Sequence, residues 1–560
     1  MQKQTRYLCV HAHFYQPPRE NPWLEEIELQ DSAYPYHDWN ERITAECYAT
    51  NLTARILDNS DRIVRILNNY AHISFNFGPT LLSWAKEHAN DVYNGVLEAD
   101  RQSLKRFSGH GSAIAQAYNH MIMPLADRRD KETQVKWGIA DFETRLKRKP
   151  EGMWLPETAV DTESLELMAE NGLAFTVLAP RQAKAVRKIG DDLWADVSGS
   201  KVDPSRAYRC PLPSGRSINL FFYDGPVSQA VAFEKLLDNG EKFASRLVGA
   251  FSDSRTWPQL MHIATDGETY GHHHRFGEMA LAYALDFIEN KGLARITNYA
   301  EFSALCPPEY EAQIIDDTSW SCVHGIERWR SNCGCNSGRP GFSQQWRAPL
   351  RVSLDWLRDR VRSIFEEIGT SLLKDIWAAR NDYIAVVLDR SRETRREFGR
   401  KHFRRELTET EEVIVWKLLE IQRHAMLMYT SCGWFFDELS GIETVQVIQY
   451  AGRVVQLSEQ VQAEPLESAF LERLALAKSN IPEQGDGANI YKRSVRPAIV
   501  DLQKVAAHYA ISSLFIPYAS HADIFSYTVH RLDYHTRTAG KMGMALGKAV
   551  FTSRITEASA

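Results

Sequence analysis

Up to residue 310 the chain alternates short apolar runs, each stopping abruptly at Gly, Pro, His or an acid, with longer segments whose apolar residues recur at helical spacing. Tyr7-Leu8-Cys9-Val10 predicts a strand ending at His11, 73–77 a second stopped by Gly78-Pro79, and 152–155 a third stopped by Pro156-Glu157. The runs 175–178, 219–223 and 260–264 follow, ending at Ala179-Pro180, Asp224-Gly225 and Thr265-Asp266. Between them 164–171 fits a helix closed by Gly172. The alternation predicts an α/β class. Six or seven such units favour a barrel over an open sheet, and the sequence leaves closure open.

Past Cys306 the period changes. The segments 345–373, 411–428, 444–457 and 501–514 carry apolar residues on one helical face with charges between them. The expected organisation is therefore a barrel over 1–310, a mainly α-helical domain over 311–535, and a β segment over 536–560. Within the last, 543–552 reads as a strand, and a lone strand needs a partner. Either it joins an existing sheet or it begins a further β domain.

Composition narrows the function classes. With 560 residues, 44% apolar and 25% charged, the chain is globular and long enough for two or three domains. A net charge of −6 gives no electrostatic basis for capturing nucleic acid or an anionic membrane. No apolar run approaches the ~20 residues of a membrane span, and the run before His11 is too short for a signal-peptide core. Eight cysteines without small-domain spacing do not form a disulfide framework. A cytoplasmic location is expected; the oligomeric state is open.

Two stretches carry candidate chemistry. Trp154-Leu155-Pro156-Glu157 and Asp266-Gly267-Glu268-Thr269-Tyr270-Gly271-His272 each place a carboxylate where a strand gives way to a loop. In α/β barrels that position lines the active site, and two carboxylates beside aromatic walls are glycosidase equipment. The alternative is that both acids cap helix N-termini. His11 and His13, two apart at a strand end, would either donate to sugar hydroxyls or ligate a metal. Cys322, His324, Cys333 and Cys335 form a Cys-x-His followed by Cys-x-Cys, which either holds a structural zinc or simply packs.

These motifs, taken in order, resemble glycoside hydrolase family 57, retaining enzymes acting on α-glucans. His11-Ala12-His13-Phe14-Tyr15-Gln16-Pro17 is similar to the first family motif, Phe75-Asn76-Phe77-Gly78-Pro79 to the second, and the Glu157 and Asp266 stretches to the third and fourth. Ser431-Cys432-Gly433-Trp434 resembles a weakened fifth, with Gly433 where the family has Asp. The resemblance covers about the first 310 residues and implies a (β/α)7-type distorted barrel needing no cofactor. It implies Glu157 as nucleophile and Asp266 as acid/base, with an α-glucan or oligosaccharide as partner. His11, His13, Asn76, His120, Trp154, Glu268, Tyr270, His272 and Trp434 would then line the substrate. Hydrolysis, 4-α-glucan transfer and branching share this chemistry, and the sequence does not separate them.

Two rival readings stand beside this one. A zinc-dependent carbohydrate deacetylase would use His11, His13, Asp266 and a histidine from 272–274 as ligands. A non-catalytic glucan-binding protein would fit the altered fifth motif, but would need neither acid.

Overall fold

The computed structural model describes residues 5–462 and 465–560; the first four residues of the N-terminal stretch read above lie outside them. Two compact units result. One runs up to Pro18 and from Leu29 to Ile326, and the other takes Arg19–Glu28 with Glu327–Ala560.

The first unit is built on seven short strands: β1 (Arg6–Phe14), β2 (Ser74–Phe77), β3 (Ala115–Gln116), β4 (Met153–Trp154), β5 (Phe175–Leu178), β6 (Ser217–Phe222) and β7 (Gln259–Asp266). β1 pairs in parallel with β2 and β7, β3 with β4, and β5 with β6. Single parallel bridges, Phe75 to Ala113 and Gly152 to Phe175, join these pairs in chain order. Beyond β6, one backbone hydrogen bond from Asp224 N to His262 O, 2.9 Å, reaches β7. The strands thus follow one another round a distorted barrel, but the ladder is interrupted and pairing does not close it. β1 is buried from Tyr7 to Phe14, as a parallel strand covered on both faces must be. Gly152 is required where β4 meets β5, because a Cβ there would lie 2.4 Å from the Phe175 ring.

The strand pattern read from the sequence is present, with additions. β3 is only two residues long and carries no periodicity of its own. Tyr208–Pro211, Tyr310–Ile314, Ala183–Lys188 and Ala195–Asp196 extend the β5–β6 pair into a six-stranded mixed sheet. Because β1, β2, β4 and β7 run parallel, their C-terminal ends lie on one rim, and those ends carry His13, Asn76, Trp154 and Asp266.

The second unit is largely helical. Arg347–Leu372, Glu409–Leu427 and Ile442–Val461 pack on one another, and Thr408 with Glu411 forms a capping box at the start of the second. The segment Arg19–Glu28 belongs here: Trp23 Nε1 donates to Gln456 Oε1 at 2.8 Å, and Glu25 meets Arg390 at 2.7 Å and Arg423 at 3.0 Å. The last strand, Met542–Ser553, pairs antiparallel with Tyr527–Ala539, which in turn pairs with His521–Ile524. The helix Leu502–Ser512 covers this sheet, with Val505 and Tyr509 packed on Ile524, Tyr527, Val529 and Phe551. The strand Tyr527–Ala539 is mostly polar and exposed, so no apolar run announced it.

Candidate active site at the barrel rim

The rim is organised by a buried polar relay. Ser74 Oγ lies 3.1 Å from His11 Nδ1, and His11 Nε2 lies 3.2 Å from Asn76 Oδ1. The Asn76 amide nitrogen lies 2.9 Å from His13 Nδ1 and donates to Gln116 Oε1 at 2.8 Å, while His13 Nε2 meets His120 Nε2 at 3.0 Å. With the amide so placed, His11 donates from Nε2 and accepts at Nδ1, while His13 accepts at Nδ1 and carries its proton on Nε2, facing His120. Burial pushes the His11 and His13 pKa values down to about 3, and that of His120 well below the usual range, so all three rings are neutral. Trp154 stacks on His11 and His13 at 4.8 and 5.0 Å between centroids, and Tyr15 stacks on His120 at 3.7 Å.

Glu157 follows β4 in a tight turn. Its φ is 58° and that of Thr158 is 49°, two successive left-handed non-glycine residues. Gln182 pins the turn: its Nε2 donates to Thr158 O at 2.8 Å, and its Oε1 accepts from Thr158 Oγ1 at 2.9 Å. The segment after Ile314 lies antiparallel alongside, with Trp320 N donating to Glu157 O at 2.9 Å. The Glu157 carboxylate Oε2 accepts two hydrogen bonds from the same segment, from Trp320 Nε1 at 2.9 Å and from Ser321 Oγ at 2.5 Å.

Asp266 ends β7, in register with His13 on β1. Its side chain reaches solvent at the rim, yet protein surrounds it closely enough that desolvation is the first cause raising its pKa well above the usual carboxylate range. The negative charges of Glu157 and then Glu268 add to the rise. The two acids are therefore in electrostatic contact: one is held by donors, and the other is pushed toward its protonated form.

Glu268 does not lie on an extended strand sharing a face with Asp266, as the i, i+2 spacing suggests. Gly267–Thr269 is a 3-10 turn that folds the side chain inward, where Oε1 accepts from Tyr48 OH at 2.5 Å and Tyr15 N at 3.0 Å. Burial raises its pKa to about 7, opposed by those hydrogen bonds. Tyr270 is fully buried, with its hydroxyl 3.3 Å from Thr265 Oγ1. His272 Nδ1 meets Glu46 Oε2 at 2.5 Å, and His274 Nε2 lies 3.2 Å from Ala232 O. Trp154 is inside the histidine stack rather than on an open face, and Trp320 meets it edge-on at 5.1 Å. Trp434 belongs to the second unit, fully buried, its indole donating to Arg347 O at 3.2 Å beneath the Arg351 guanidinium.

Sequence reasoning missed Trp320 and Ser321, together with Tyr15, Tyr48, Ser74 and Gln116. Those two lie in Ser319-Trp320-Ser321-Cys322, whose aromatic and small polar residues had no recognisable pattern to mark them as partners of Glu157. Metal chemistry at the rim finds little support in the geometry. His11 and His13 spend their ring nitrogens on Ser74, Asn76 and His120. Among the described residues, no convergent group of three or more metal-ligating donors includes His11, His13 or Asp266.

The comparisons agree with this geometry. Residues 7–315 match the family described as Glycosyl hydrolase family 57, and residues 342–560 match a domain of unknown function, DUF3536. No curated protein matches the sequence. An exo-type maltose-forming amylase from Pyrococcus sp. ST04 superposes with a TM-score of 0.63 at 17% identity, over 90% of this chain and 94% of that one. A branching enzyme of Pyrococcus horikoshii gives 0.53 at 14%, over 89% and 96%. An α-amylase of Thermotoga maritima gives 0.50 at 12%, over 87% and 99%. At these identities the likeness is one of fold. The motif order, the barrel and the sequence match over more than half its length place this chain in glycosyl hydrolase family 57.

Proposed function

We propose that the chain is a retaining enzyme acting on an α-glucan through a covalent glycosyl-enzyme intermediate, with Glu157 as nucleophile and Asp266 as acid/base. The observation that carries this reading is the coupling of the two acids: the charge of Glu157 helps raise the pKa of Asp266. A general acid must hold a proton at working pH while its partner stays ionised, and unequal environments achieve that. In the first step Glu157 attacks the anomeric carbon as Asp266 protonates the departing glycosidic oxygen. In the second, Asp266 takes a proton from water or from an acceptor sugar hydroxyl, which displaces Glu157. Water gives hydrolysis, and an acceptor gives transfer or branching. The chemistry needs no cofactor. His13 and Asn76, their polar atoms occupied within the buried relay, would fix the rim beside Asp266 rather than donate to sugar hydroxyls themselves. A cytoplasmic location belongs to the same reading; among the described residues no helix is long and apolar enough to cross a membrane.

The test is turnover of maltooligosaccharides by wild type, Glu157→Gln and Asp266→Asn, with intact-mass detection of a glycosylated enzyme. Loss of turnover in both variants, with a mass adduct on slow substrates that is absent in Glu157→Gln, is expected. Turnover persisting in Glu157→Gln would sink the assignment.

A further inference from the structure

We propose that Arg181 is a positioning residue for Glu157: its guanidinium fixes the loop whose side chains hold that carboxylate. The inference deepens the reading given above and rests on the nucleophile role proposed there. Arg181 lies in the short turn Pro180–Gln182 that follows β5. Its Nε donates to Ser319 O at 3.0 Å, and its Nη2 donates to Ser319 O at 2.5 Å and to Cys322 O at 3.2 Å. Those two carbonyls stand on either side of Trp320 and Ser321, the pair that donates to Glu157 Oε2. In an extended chain, neighbouring side chains point to opposite faces. Trp320 and Ser321 nevertheless reach the same oxygen, because the backbone bends at both. One guanidinium gripping the carbonyls before and after the bend holds that shape.

The same turn grips Glu157 from its other side. Gln182, next in sequence, bonds the carbonyl and the hydroxyl of Thr158, which follows Glu157, and its Nε2 also reaches Thr318 O at 3.1 Å. Two consecutive residues thus tie the strand end that carries the carboxylate to the loop that supplies its donors. Arginine suits the task because its planar fork fixes several donors at once, whereas a lysine ammonium is a single point on a flexible stem.

The consequence for chemistry follows from the two donors. Hydrogen bonds from Trp320 and Ser321 favour the ionised carboxylate, the form that attacks an anomeric carbon. A loop without its clamp would present those donors less often, raising the Glu157 pKa and weakening the attack. An arginine that only satisfied loop carbonyls would be energetically independent of Ser321. Coupling between the two residues separates these cases.

The experiment compares the full chain as wild type, Arg181→Gln and Arg181→Lys, with circular dichroism to confirm folding. Amide hydrogen exchange, read by mass spectrometry on the peptide spanning 316–326, requires no turnover. Exchange there should quicken by about tenfold or more in Arg181→Gln and by less in Arg181→Lys, which keeps the charge and loses the fork. On maltooligosaccharides, kcat should fall by roughly 10- to 100-fold in Arg181→Gln while KM moves less. The acid limb of kcat/KM should move to higher pH, because Glu157 must be ionised to attack. Ser321→Ala should cost less than about threefold in the Arg181→Gln background, since its donor is already displaced. Unchanged exchange in both folded variants overturns the clamp, and so does a Ser321→Ala penalty of equal size in the two backgrounds. Quickened exchange in Arg181→Gln, beside a wild type that turns over no α-glucan, would uphold the clamp and overturn the role of Glu157, so the two failures are distinct.

Discussion

Ser321 Oγ donates to Glu157 Oε2 at 2.5 Å, and the acid that receives it is held at a φ of 58°. A carboxylate on a strained turn depends on its neighbours for a single orientation. Ser321→Ala and Trp320→Phe each remove one donor and keep most of the packing. A hydrogen bond to a charged group is worth about 1.5–3 kcal/mol. Each change should lower kcat by roughly 10- to 100-fold while KM moves less, checked by steady-state kinetics on a defined maltooligosaccharide.

Asp266→Asn removes the proposed proton donor. Loss of general acid catalysis should cost about 10²–10⁴-fold in turnover. The loss should shrink for substrates with activated leaving groups that need no protonation. Comparing an aryl glycoside with a maltooligosaccharide measures this, and equal losses on both would contradict the acid role.

Glu268 should set the alkaline limb of activity. Its charge helps raise the pKa of Asp266, and its own pKa is raised by burial to about 7. In Glu268→Gln one raising influence disappears, the Asp266 pKa falls, and Asp266 loses its proton at lower pH. The alkaline limb of kcat against pH should move down by about one unit. The sign for stability runs the same way. A carboxyl whose folded pKa is raised to about 7 costs stability as pH climbs from its unfolded pKa through 7, so Glu268→Gln should gain relative to wild type in melts at pH 8 but not at pH 5.

Asn76 joins two histidines through one amide. Replacing it with Ala leaves His11 Nε2, His13 Nδ1 and Gln116 Oε1 without this partner in a buried setting. Unsatisfied buried groups cost about 1–3 kcal/mol each and do not add simply. A loss of about 2–4 kcal/mol is expected in urea denaturation, with turnover impaired even where the protein remains folded.

In the second unit, Glu420 is fully buried against Arg390 at 3.2 Å and Arg423 at 3.0 Å. Burial alone would push its pKa up; Arg423 and Arg390 outweigh it and hold the carboxyl well below the usual range. Its stabilising contribution is therefore present above the ordinary glutamate pKa and is lost as pH falls through the depressed value. Glu420→Gln should cost about 1.5–3 kcal/mol at neutral pH by leaving Arg390 and Arg423 to share the charge of Glu25. The deficit should narrow in acid, as measured by denaturant melts across pH.

Much of the barrel was legible because parallel strands covered on both faces are continuous apolar runs, and 175–178 coincides with β5 residue for residue. β3 was not legible: two residues fixed by their neighbours have no pattern. The four long helices were visible from their periodicity, whereas Tyr527–Ala539, polar along most of its length, was not. Glu157, Asp266 and the histidines stood out because each ends an apolar run. Trp320 and Ser321 act across a separation of more than 160 residues, and nothing in local spacing encodes such a contact. The inward turn of Glu268 was hidden for a similar reason: Tyr15 and Tyr48, which hold it, are far away in sequence.

The family match ends at residue 315, five residues before Trp320 and six before Ser321. A polypeptide trimmed to that boundary would keep every strand of the barrel and both acids, yet would forfeit two donors that grip Glu157. What sequence comparison marks as the end of the family domain is thus not where the contacts of the proposed nucleophile end, and the smallest fragment worth assaying must run past Ser321.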